Sequence, residues 1–422
     1  MKRHGLALLC WLAISLAGCA NRVEFPHLAE HGSGAERRIL VTFVDRSIGR
    51  ELSANPMDLY QSRGGYSNSD WSARRAEALA SRYRLSLIAQ WPVTALGVAC
   101  IVYEVPGDQS LERVLAALAR DGQVESAQPM GTFRVLGQPS SDSGSDVSDP
   151  YLRLQTGYRN MKIAAAHRFA TGKGVRIAVI DTGVDARHPD LAGQVSVSEN
   201  LAPDPPPGGD TADVHGTAVA GVLAAHVGNG IGIAGIAPDA RIHALRACWP
   251  EKPGVSAALC NSFTLALALN EAIRLETQVI NMSLTGPEDP LVRKLIEKAL
   301  EKGLIVIAAE PGAGRAGGFP ANVPGVIAVR GADGALGQLA APGTDVLTTV
   351  PRGAYEFMSG SSFAAPHVAG AIALLLELKP RLTSAEALRI LTENLSSTEP
   401  RFIDACAALA TLKGVNSGFE CG

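Results

Sequence analysis

The chain has 422 residues and a nearly balanced charge, with 38 basic and 41 acidic side chains that give a net charge of −3. This length allows two or three domains with a large apolar core. The basic side chains are mixed with acidic ones and form no run beside aromatic residues, which argues against a nucleic-acid partner.

The amino-terminal residues have the pattern of an export signal. A basic pair precedes an apolar segment at 6–16 that is too short to span a membrane comfortably, and small residues follow it. The four residues that end at Cys19 resemble the bacterial lipobox, in which the cysteine becomes the lipidated first residue. We therefore expect residues 1–18 to be a cleaved signal and residues 19–37 to be a tether. Lipid would hold the mature protein in the cell envelope, at the outer membrane, facing the periplasm or the exterior.

Residues 38–136 are predicted to form one small domain. Apolar residues recur there with either extended or helical spacing. The predicted order is strand, helix, strand, helix, strand, at 39–44, 71–83, 98–105, 110–120 and 124–129. This order favours a two-layer α+β unit.

A polar segment separates this domain from a longer one. Residues 137–150 are rich in Ser, Asp and Gly, so we predict an exposed, flexible linker that is easily cut. Residues 416–422 are assigned to a tail. Within 151–415, apolar strands alternate with helical stretches, at 175–180, 218–225, 240–246, 262–275, 279–283, 291–300, 304–309 and 326–329. This alternation predicts a doubly wound, mainly parallel α/β sheet with its site at the carboxyl ends of the strands.

Three short motifs in the second domain carry side chains suited to nucleophilic catalysis. Asp181 ends a predicted strand, while His215 and the pair Ser361-Ser362 each open an apolar helix. A serine becomes a nucleophile when a neighbouring histidine takes its proton, and a buried carboxylate orients that histidine. Each motif alone is more often structural than catalytic. Physical arguments alone do not choose between Ser361 and Ser362.

The same motifs resemble those of the subtilisin-like serine proteases. The resemblance covers residues 151–412, through stretches in the same order at 177–185, 188–191, 215–221, 280–284, 324–329, 360–370 and 402–405. It implies a fold of subtilisin type and a triad in which Asp181 orients His215 and His215 activates Ser362. It also implies that Ser283 and Leu284 bind the substrate backbone as an added strand.

The amino-terminal domain, residues 38–136, resembles the inhibitor-type propeptide of this family. That propeptide is a small ferredoxin-like α+β domain that assists folding and occupies the cleft until it is cut away. The resemblance therefore implies a self-processing precursor, released within the linker at a bond that the sequence does not identify. A retained regulatory domain is the alternative.

One loop resembles the tight calcium site of the family. Asp190 would supply a carboxylate, and the other ligands would be backbone carbonyls and an amide oxygen from Val227, Asn229, Ile231 and Ile233. Oxygen donors of this kind suit calcium. The family's amino-terminal ligand has no clear match here, and an ordinary glycine-rich turn is the alternative. The ion would be structural, and no cofactor would be required for the chemistry.

The chain departs from the family where a hydrogen-bond donor to the oxyanion is expected. The family has Gly-Asn after the matching strand, and this chain has Glu310 and Pro311. Losing such a donor lowers the rate by about 10²–10³-fold, a magnitude known from this family. An ionised Glu310 would repel the oxyanion, whereas a protonated one could donate to it, which predicts higher activity below neutral pH.

Seven cysteines are present, and five remain after the signal peptide and the lipidated residue are set aside. An exported compartment permits disulfides. Proximity along the chain suggests that Cys248 pairs with Cys260 and Cys406 with Cys421, which leaves Cys100 free. Sequence alone leaves other pairings open.

Together these features predict an exported, lipid-anchored serine endopeptidase that hydrolyses peptide bonds through an acyl-enzyme and matures by self-cleavage. Its partners would be polypeptide substrates, its own propeptide and, through the lipid, a membrane. The alternative is a degenerate relative that keeps the triad but binds peptides or a partner protein in the cell envelope. The intact triad favours the enzyme, whereas Glu310 and Pro311 favour the binding protein.

Overall fold

The structure is a computed structural model that describes much of the chain. The described residues are 35–45, 48, 70–135, 138–140, 149–202, 214–251, 257–311, 318–331, 339–397, 400–415 and 421. The predicted signal peptide and Cys19 lie outside these residues, as do most of the predicted tether, linker and tail.

The first domain is an antiparallel sheet covered by two helices. Its elements are β1 (Arg38–Val44), α1 (Asp70–Tyr83), β2 (Ser86–Val93), β3 (Val98–Glu104), α2 (Leu111–Leu118) and β4 (Ser126–Pro129). The strand order is β2-β3-β1-β4, with antiparallel pairing throughout. Sequence analysis missed β2, because Gln90 and Pro92 interrupt the apolar pattern on which strand prediction depends.

A short extended segment follows this domain and pairs with the second one. It consists of β5 (Thr132–Val135) and β6 (Gln138–Ser140). Strand β6 lies within the linker at 137–150 that was predicted to be flexible, yet it pairs with a strand of the second domain.

The second domain alternates strands and helices over most of its length. Its elements are α3 (Thr156–Asn160), α4 (Ile163–Ala166), β7 (Arg176–Asp181), β8 (Val195–Asn200), α5 (Val214–Ala224), β9 (Arg241–Arg246), β10 (Cys248–Pro250), β11 (Ala258–Asn261), α6 (Ser262–Arg274), β12 (Val279–Met282), β13 (Leu284–Thr285), α7 (Pro290–Glu301), β14 (Ile305–Ala309), β15 (Ile327–Arg330), β16 (Leu339–Ala340), β17 (Val346–Val350), β18 (Ala354–Ser359), α8 (Ser361–Leu378), α9 (Ser384–Glu393) and α10 (Ala405–Lys413). Short 3₁₀ turns lie at Ala35–Arg37, Leu152–Leu154 and Pro189–Leu191.

A parallel sheet forms the centre of this domain, as predicted. In the described part of the chain it has seven strands in the order β16-β15-β14-β12-β7-β9-β8, and neighbouring strands pair in parallel. Alternate residues of β7 belong to two different apolar clusters. Ile177 and Val179 pack with α5 and α8, whereas Ala178 and Ile180 pack with α6 and α7. Burial on both faces explains why the strands are almost wholly apolar.

The long apolar helix α8 belongs to this core. By length and composition alone it is apolar enough to cross a membrane, but it is mostly buried inside the domain. Its start, at Gly360, has a φ of 150°, a conformation that side-chain-bearing residues rarely adopt. This turn carries the chain from β18 directly into the helix that bears Ser362.

The first domain packs against α6 and α7 of the second. Trp91 meets the edge of the Phe263 ring with centroids 5.2 Å apart. The Asn270 side-chain oxygen accepts hydrogen bonds from the Ala95 amide (2.9 Å) and the Thr94 hydroxyl (3.1 Å). This interface places β5 and β6 at the carboxyl ends of the parallel strands, where the site was expected.

Candidate active site

Asp181 and His215 lie in direct contact. Asp181 ends β7, His215 lies in the first turn of α5, and His215 Nδ1 is 2.9 Å from both carboxylate oxygens. Both side chains are buried. The Thr182 amide donates to one of the same oxygens at 2.7 Å. A carboxylate beside Nδ1 favours the tautomer with its proton there, which leaves Nε2 free to accept a proton.

Two glycines allow this contact. A Cβ on Gly216 would lie 2.0 Å from the carbonyl oxygen of Gly183. Any larger residue after His215 would therefore push α5 away from the end of β7. The close approach of these two backbones brings His215 to Asp181.

Ser362 lies at the start of α8 and is fully buried. Its Oγ and His215 Nε2 are among the few buried polar atoms that lack a hydrogen-bond partner among the described residues. Leaving such an atom unpaired costs about 1–3 kcal/mol, so a fold seldom does it without a functional reason. These are the two atoms that a serine nucleophile and its base would use.

Pro366 contributes to the position of Ser362. A proline has no N–H to donate to the carbonyl four residues earlier in a helix, and that carbonyl belongs to Ser362. The Ser283 hydroxyl donates to it instead at 2.8 Å, and the Asn281 side-chain amide in turn donates to Ser283 Oγ at 3.0 Å. The sequence predicted that Ser283 lies beside the substrate. The structure adds a hydrogen bond from Ser283 to the backbone of Ser362.

Arg246 is a neighbour that sequence analysis missed. It ends β9 opposite Asp181 in the parallel register. Its Nε donates to the Thr182 carbonyl at 3.1 Å and its Nη1 donates to Asn200 Oδ1 at 2.8 Å. The only sequence signal for it is a charged residue at the end of an otherwise apolar strand.

The predicted oxyanion position has no amide side chain. Glu310 follows β14, and its carboxylate accepts a hydrogen bond from Nε of Arg330 at 2.8 Å. Nη2 of Arg330 lies 2.8 Å from the same carboxylate oxygen in an ion pair. Pro311 has no N–H to offer. The nearest downstream amide, Asn322, donates to Glu288 at 2.6 Å. The Glu310 carboxylate is therefore paired with a cation, and the rise in activity below neutral pH stays a prediction.

Strand β5 lies in a groove beside this site. It forms the middle strand between β11 and β13, and both pairings are antiparallel. Val135 is opposite Leu284, so the segment predicted to bind a substrate backbone pairs here with the chain itself. The Phe133 side chain is fully buried and fills the space beside Gly286, where a Cβ would lie 2.3 Å from its ring.

Strand β6 pairs with the strand that leads into the turn before Ser362. It pairs antiparallel with β18, with Gln138 opposite Ser359. Strand β18 ends two residues before α8 begins. Val135 thus pairs with Leu284, and Gln138 pairs with the strand that leads into the turn carrying Ser362.

The predicted calcium loop surrounds a buried carboxylate. Asp190 accepts hydrogen bonds from the Asn229 side-chain amide (2.8 Å), the Ile233 amide (2.9 Å) and the Tyr355 hydroxyl (3.1 Å). Burial raises the pKa of Asp190 above its usual range. A second buried carboxylate, Asp149, accepts from the backbone amides of the same loop, at Gly228 and Gly230.

These side chains carry the oxygen atoms that calcium prefers, and in this structure the carboxylates accept hydrogen bonds from N–H and O–H groups. Two buried carboxylates and the Asn229 side-chain oxygen lie around one loop, and Asp149 offers the amino-terminal ligand that sequence analysis did not find. Among the described residues, no group of three His, Cys, Asp or Glu side chains is placed to hold a metal ion. Backbone carbonyls of the loop, including those of Val227 and Ile231, would therefore have to complete the coordination.

The structure contains disulfides between Cys248 and Cys260 and between Cys406 and Cys421, the same two pairs that proximity suggested. Cys100 is a free, buried thiol. The first disulfide joins β10 to β11 directly beside β5. The disulfide therefore stabilises β11, the strand on one side of β5.

The fold is of subtilisin type. A sequence model of the subtilase family matches residues 172–408. Subtilisin E of Bacillus subtilis is 36% identical over 249 residues, which are 54% of this chain and 63% of that protein. Thermitase of Thermoactinomyces vulgaris is 35% identical over 266 residues, 58% of this chain and 90% of that protein.

The chain therefore belongs to the subtilase family. Its fold is similar to that of fervidolysin from Fervidobacterium pennivorans, a keratinolytic enzyme related to subtilisin. The TM-score is 0.65 at 22% identity, over 90% of this chain and 62% of that one. The chain spans 63% of the length of Subtilisin E, one of the curated relatives that it matches.

Proposed function

We propose that the chain is the precursor of an exported serine endopeptidase that cuts polypeptides through an acyl-enzyme. The observation that carries this proposal is the arrangement of Asp181, His215 and Ser362. The imidazole contacts the carboxylate through Nδ1, while Nε2 and the serine hydroxyl are buried without partners among the described residues. This leaves one proton donor and one proton acceptor available for the reaction.

Each residue has one task in the proposed mechanism. Ser362 Oγ attacks the carbonyl carbon of the peptide bond while His215 Nε2 takes its proton, and Asp181 stabilises the imidazolium that forms. His215 then returns the proton to the leaving amine, and water hydrolyses the acyl-enzyme by the reverse sequence. The start of α8 supplies backbone N–H groups and a helix dipole where the oxyanion develops.

We further propose that residues 38–136 are a propeptide and that residues 151–415 are the catalytic domain. The pairing of β5 with both β11 and β13 supports this, because an extended segment in that position binds as a substrate would. The burial of Phe133 in the groove adds an apolar anchor. The precursor would thus inhibit itself until it is cut.

The proposed processing bond joins Leu136 to Gly137. Val135 pairs with Leu284, the residue after Ser283, and Gln138 pairs with Ser359. The bond between Leu136 and Gly137 falls between these two pairs in the sequence. Ser283 is hydrogen-bonded to the backbone of Ser362. Sequencing the amino terminus of the processed enzyme tests this assignment, which expects a chain that begins at Gly137.

A binding protein is the second candidate, and one observation favours it. Glu310 and Pro311 provide no side-chain donor to the oxyanion, and a donor of that kind is worth about 10²–10³-fold in rate. A degenerate relative would hold peptides in the groove without cutting them. The two candidates differ in whether the wild-type precursor cleaves itself.

We propose a structural calcium ion at the loop around Asp190, and its removal should lower the melting temperature. A ligand present at about 100 times its dissociation constant stabilises the folded state by about 2.7 kcal/mol, which corresponds to about 5–10 °C for a domain of this size. Scanning calorimetry of the full chain in calcium and in EDTA measures this shift. Asp190→Asn should abolish it, and Asp239→Asn, at an exposed carboxylate, should preserve it. Equal melting temperatures in calcium and EDTA would contradict the calcium site.

We propose that residues 1–18 direct export and that Cys19 carries the lipid anchor. The support is the sequence pattern described above. Cys19→Ala should move the protein from the membrane fraction to the soluble fraction of an exporting bacterial host, because no lipid would be attached. Fractionation with immunoblotting measures this, with Cys100→Ala as the matched control. A variant that stays fully in the membrane fraction would rule out this anchor.

A further inference from the structure

An ion pair occupies the position at which relatives supply an oxyanion donor. Glu310 directly follows β14, and Arg330 ends β15, the neighbouring parallel strand. Nε and Nη2 of Arg330 both lie 2.8 Å from the same Glu310 oxygen. The two side chains are largely buried, with 23% of the arginine and 14% of the glutamate exposed.

This ion pair is attached to the turn that carries the nucleophile. The Ser361 hydroxyl donates a hydrogen bond to the Glu310 carbonyl. The Glu310 amide donates to the Val329 carbonyl at 2.7 Å, which holds the residue against β15. The backbone that bears the carboxylate therefore lies within one hydrogen bond of the residue that precedes Ser362.

A negative charge at this position would oppose the proposed reaction. The attack of Ser362 places a negative charge on the former carbonyl oxygen. An unpaired carboxylate nearby would add a second negative charge and raise the energy of that state. A carboxylate with one oxygen in contact with two nitrogens of a guanidinium is neutralised as a pair, and the contact restricts its orientation. The same pair turns the Glu310 side chain toward β15.

We propose that Arg330 is a positioning residue for the proposed peptidase, acting through Glu310. It cancels the charge of that carboxylate and directs it toward β15, so that the oxyanion forms next to a neutral pair. The backbone N–H groups at the start of α8 then stabilise the oxyanion without an amide side chain. This inference rests on the proposed function and names a residue pair that departs from the family pattern.

Charge-matched variants of the full chain test this role. We expect Arg330→Ala to lower kcat for casein and for a p-nitrophenyl ester by about 10–100-fold with little change in KM, because it leaves Glu310 unpaired. The double variant Arg330→Ala with Glu310→Gln should return kcat to within about 3-fold of wild type, because it removes both charges. Arg330→Lys should fall between wild type and Arg330→Ala.

The double variant separates charge from folding, since it lacks the same guanidinium as the single variant. Arg389→Ala is the matched control, because Arg389 makes an exposed ion pair with Glu393 on α9 at 2.7 Å; it should leave kcat unchanged. If Arg330→Ala is as fast as wild type, or if the double variant is as slow as Arg330→Ala, the positioning role is overturned while the proposed function stands. A folded wild-type chain that hydrolyses neither substrate overturns both.

Discussion

Ser362→Ala is expected to abolish both self-cleavage and the hydrolysis of casein. The hydroxyl is the proposed nucleophile, and removing the nucleophile of a triad lowers kcat by about 10⁴-fold or more. The variant should accumulate as an uncut precursor whose groove is filled by its own strand β5. Gel electrophoresis and a casein assay of the chain purified from an exporting host measure both effects.

Ser384→Ala is the matched control for this variant. Ser384 also opens a helix, α9, but lies in a different part of the fold. It should process itself and digest casein like wild type. A Ser362→Ala chain that still cleaves itself at the wild-type rate would show that another group, or another protein, performs the cut.

Asp181→Asn is expected to lower kcat by about 10⁴-fold with KM nearly unchanged. The carboxylate lies 2.9 Å from His215 Nδ1 through both of its oxygens. An amide of the same shape keeps the packing but no longer fixes the proton on Nδ1 or stabilises the imidazolium. Steady-state kinetics on a soluble peptide ester measure kcat and KM separately, and thermal melts show whether the fold is retained.

The control for this variant is Asp239→Asn. Asp239 is exposed, and its carboxylate accepts a hydrogen bond from the Thr171 hydroxyl at 2.6 Å. It should keep wild-type kinetics. If Asp181→Asn retains more than about a tenth of the wild-type kcat, the proposed role of the carboxylate is wrong.

The parallel sheet was predictable because its strands are buried on both faces. Strands β7 and β14 are almost continuous apolar runs, and helical stretches separate the strands of the sheet. Strand β2 was missed for the opposite reason, since polar residues and Pro92 break its pattern. The strand character of β5 and β6 depends on partners far away in sequence, which local propensity does not reveal.

Site residues that lie in local motifs could likewise be predicted from the sequence, whereas their partners from distant parts of the chain could not. Asp181 and His215 each lie within two residues of a glycine, in short motifs that are visible in the sequence. Arg330, Asp149 and Tyr355 come from other parts of the chain, and only the fold brings them to their carboxylate or loop partners. The choice of Ser362 over Ser361 came from the family resemblance, because both serines open the same helix.

We propose that this chain is a peptidase that cuts its own propeptide with Ser362. The most direct test is the intact mass and amino-terminal sequence of wild type and Ser362→Ala, each purified as the full chain from an exporting host. We predict that wild type yields a fragment beginning at Gly137 and that Ser362→Ala remains uncut. A folded wild-type chain that stays uncut, or a Ser362→Ala chain cut at the same bond, would contradict the claim.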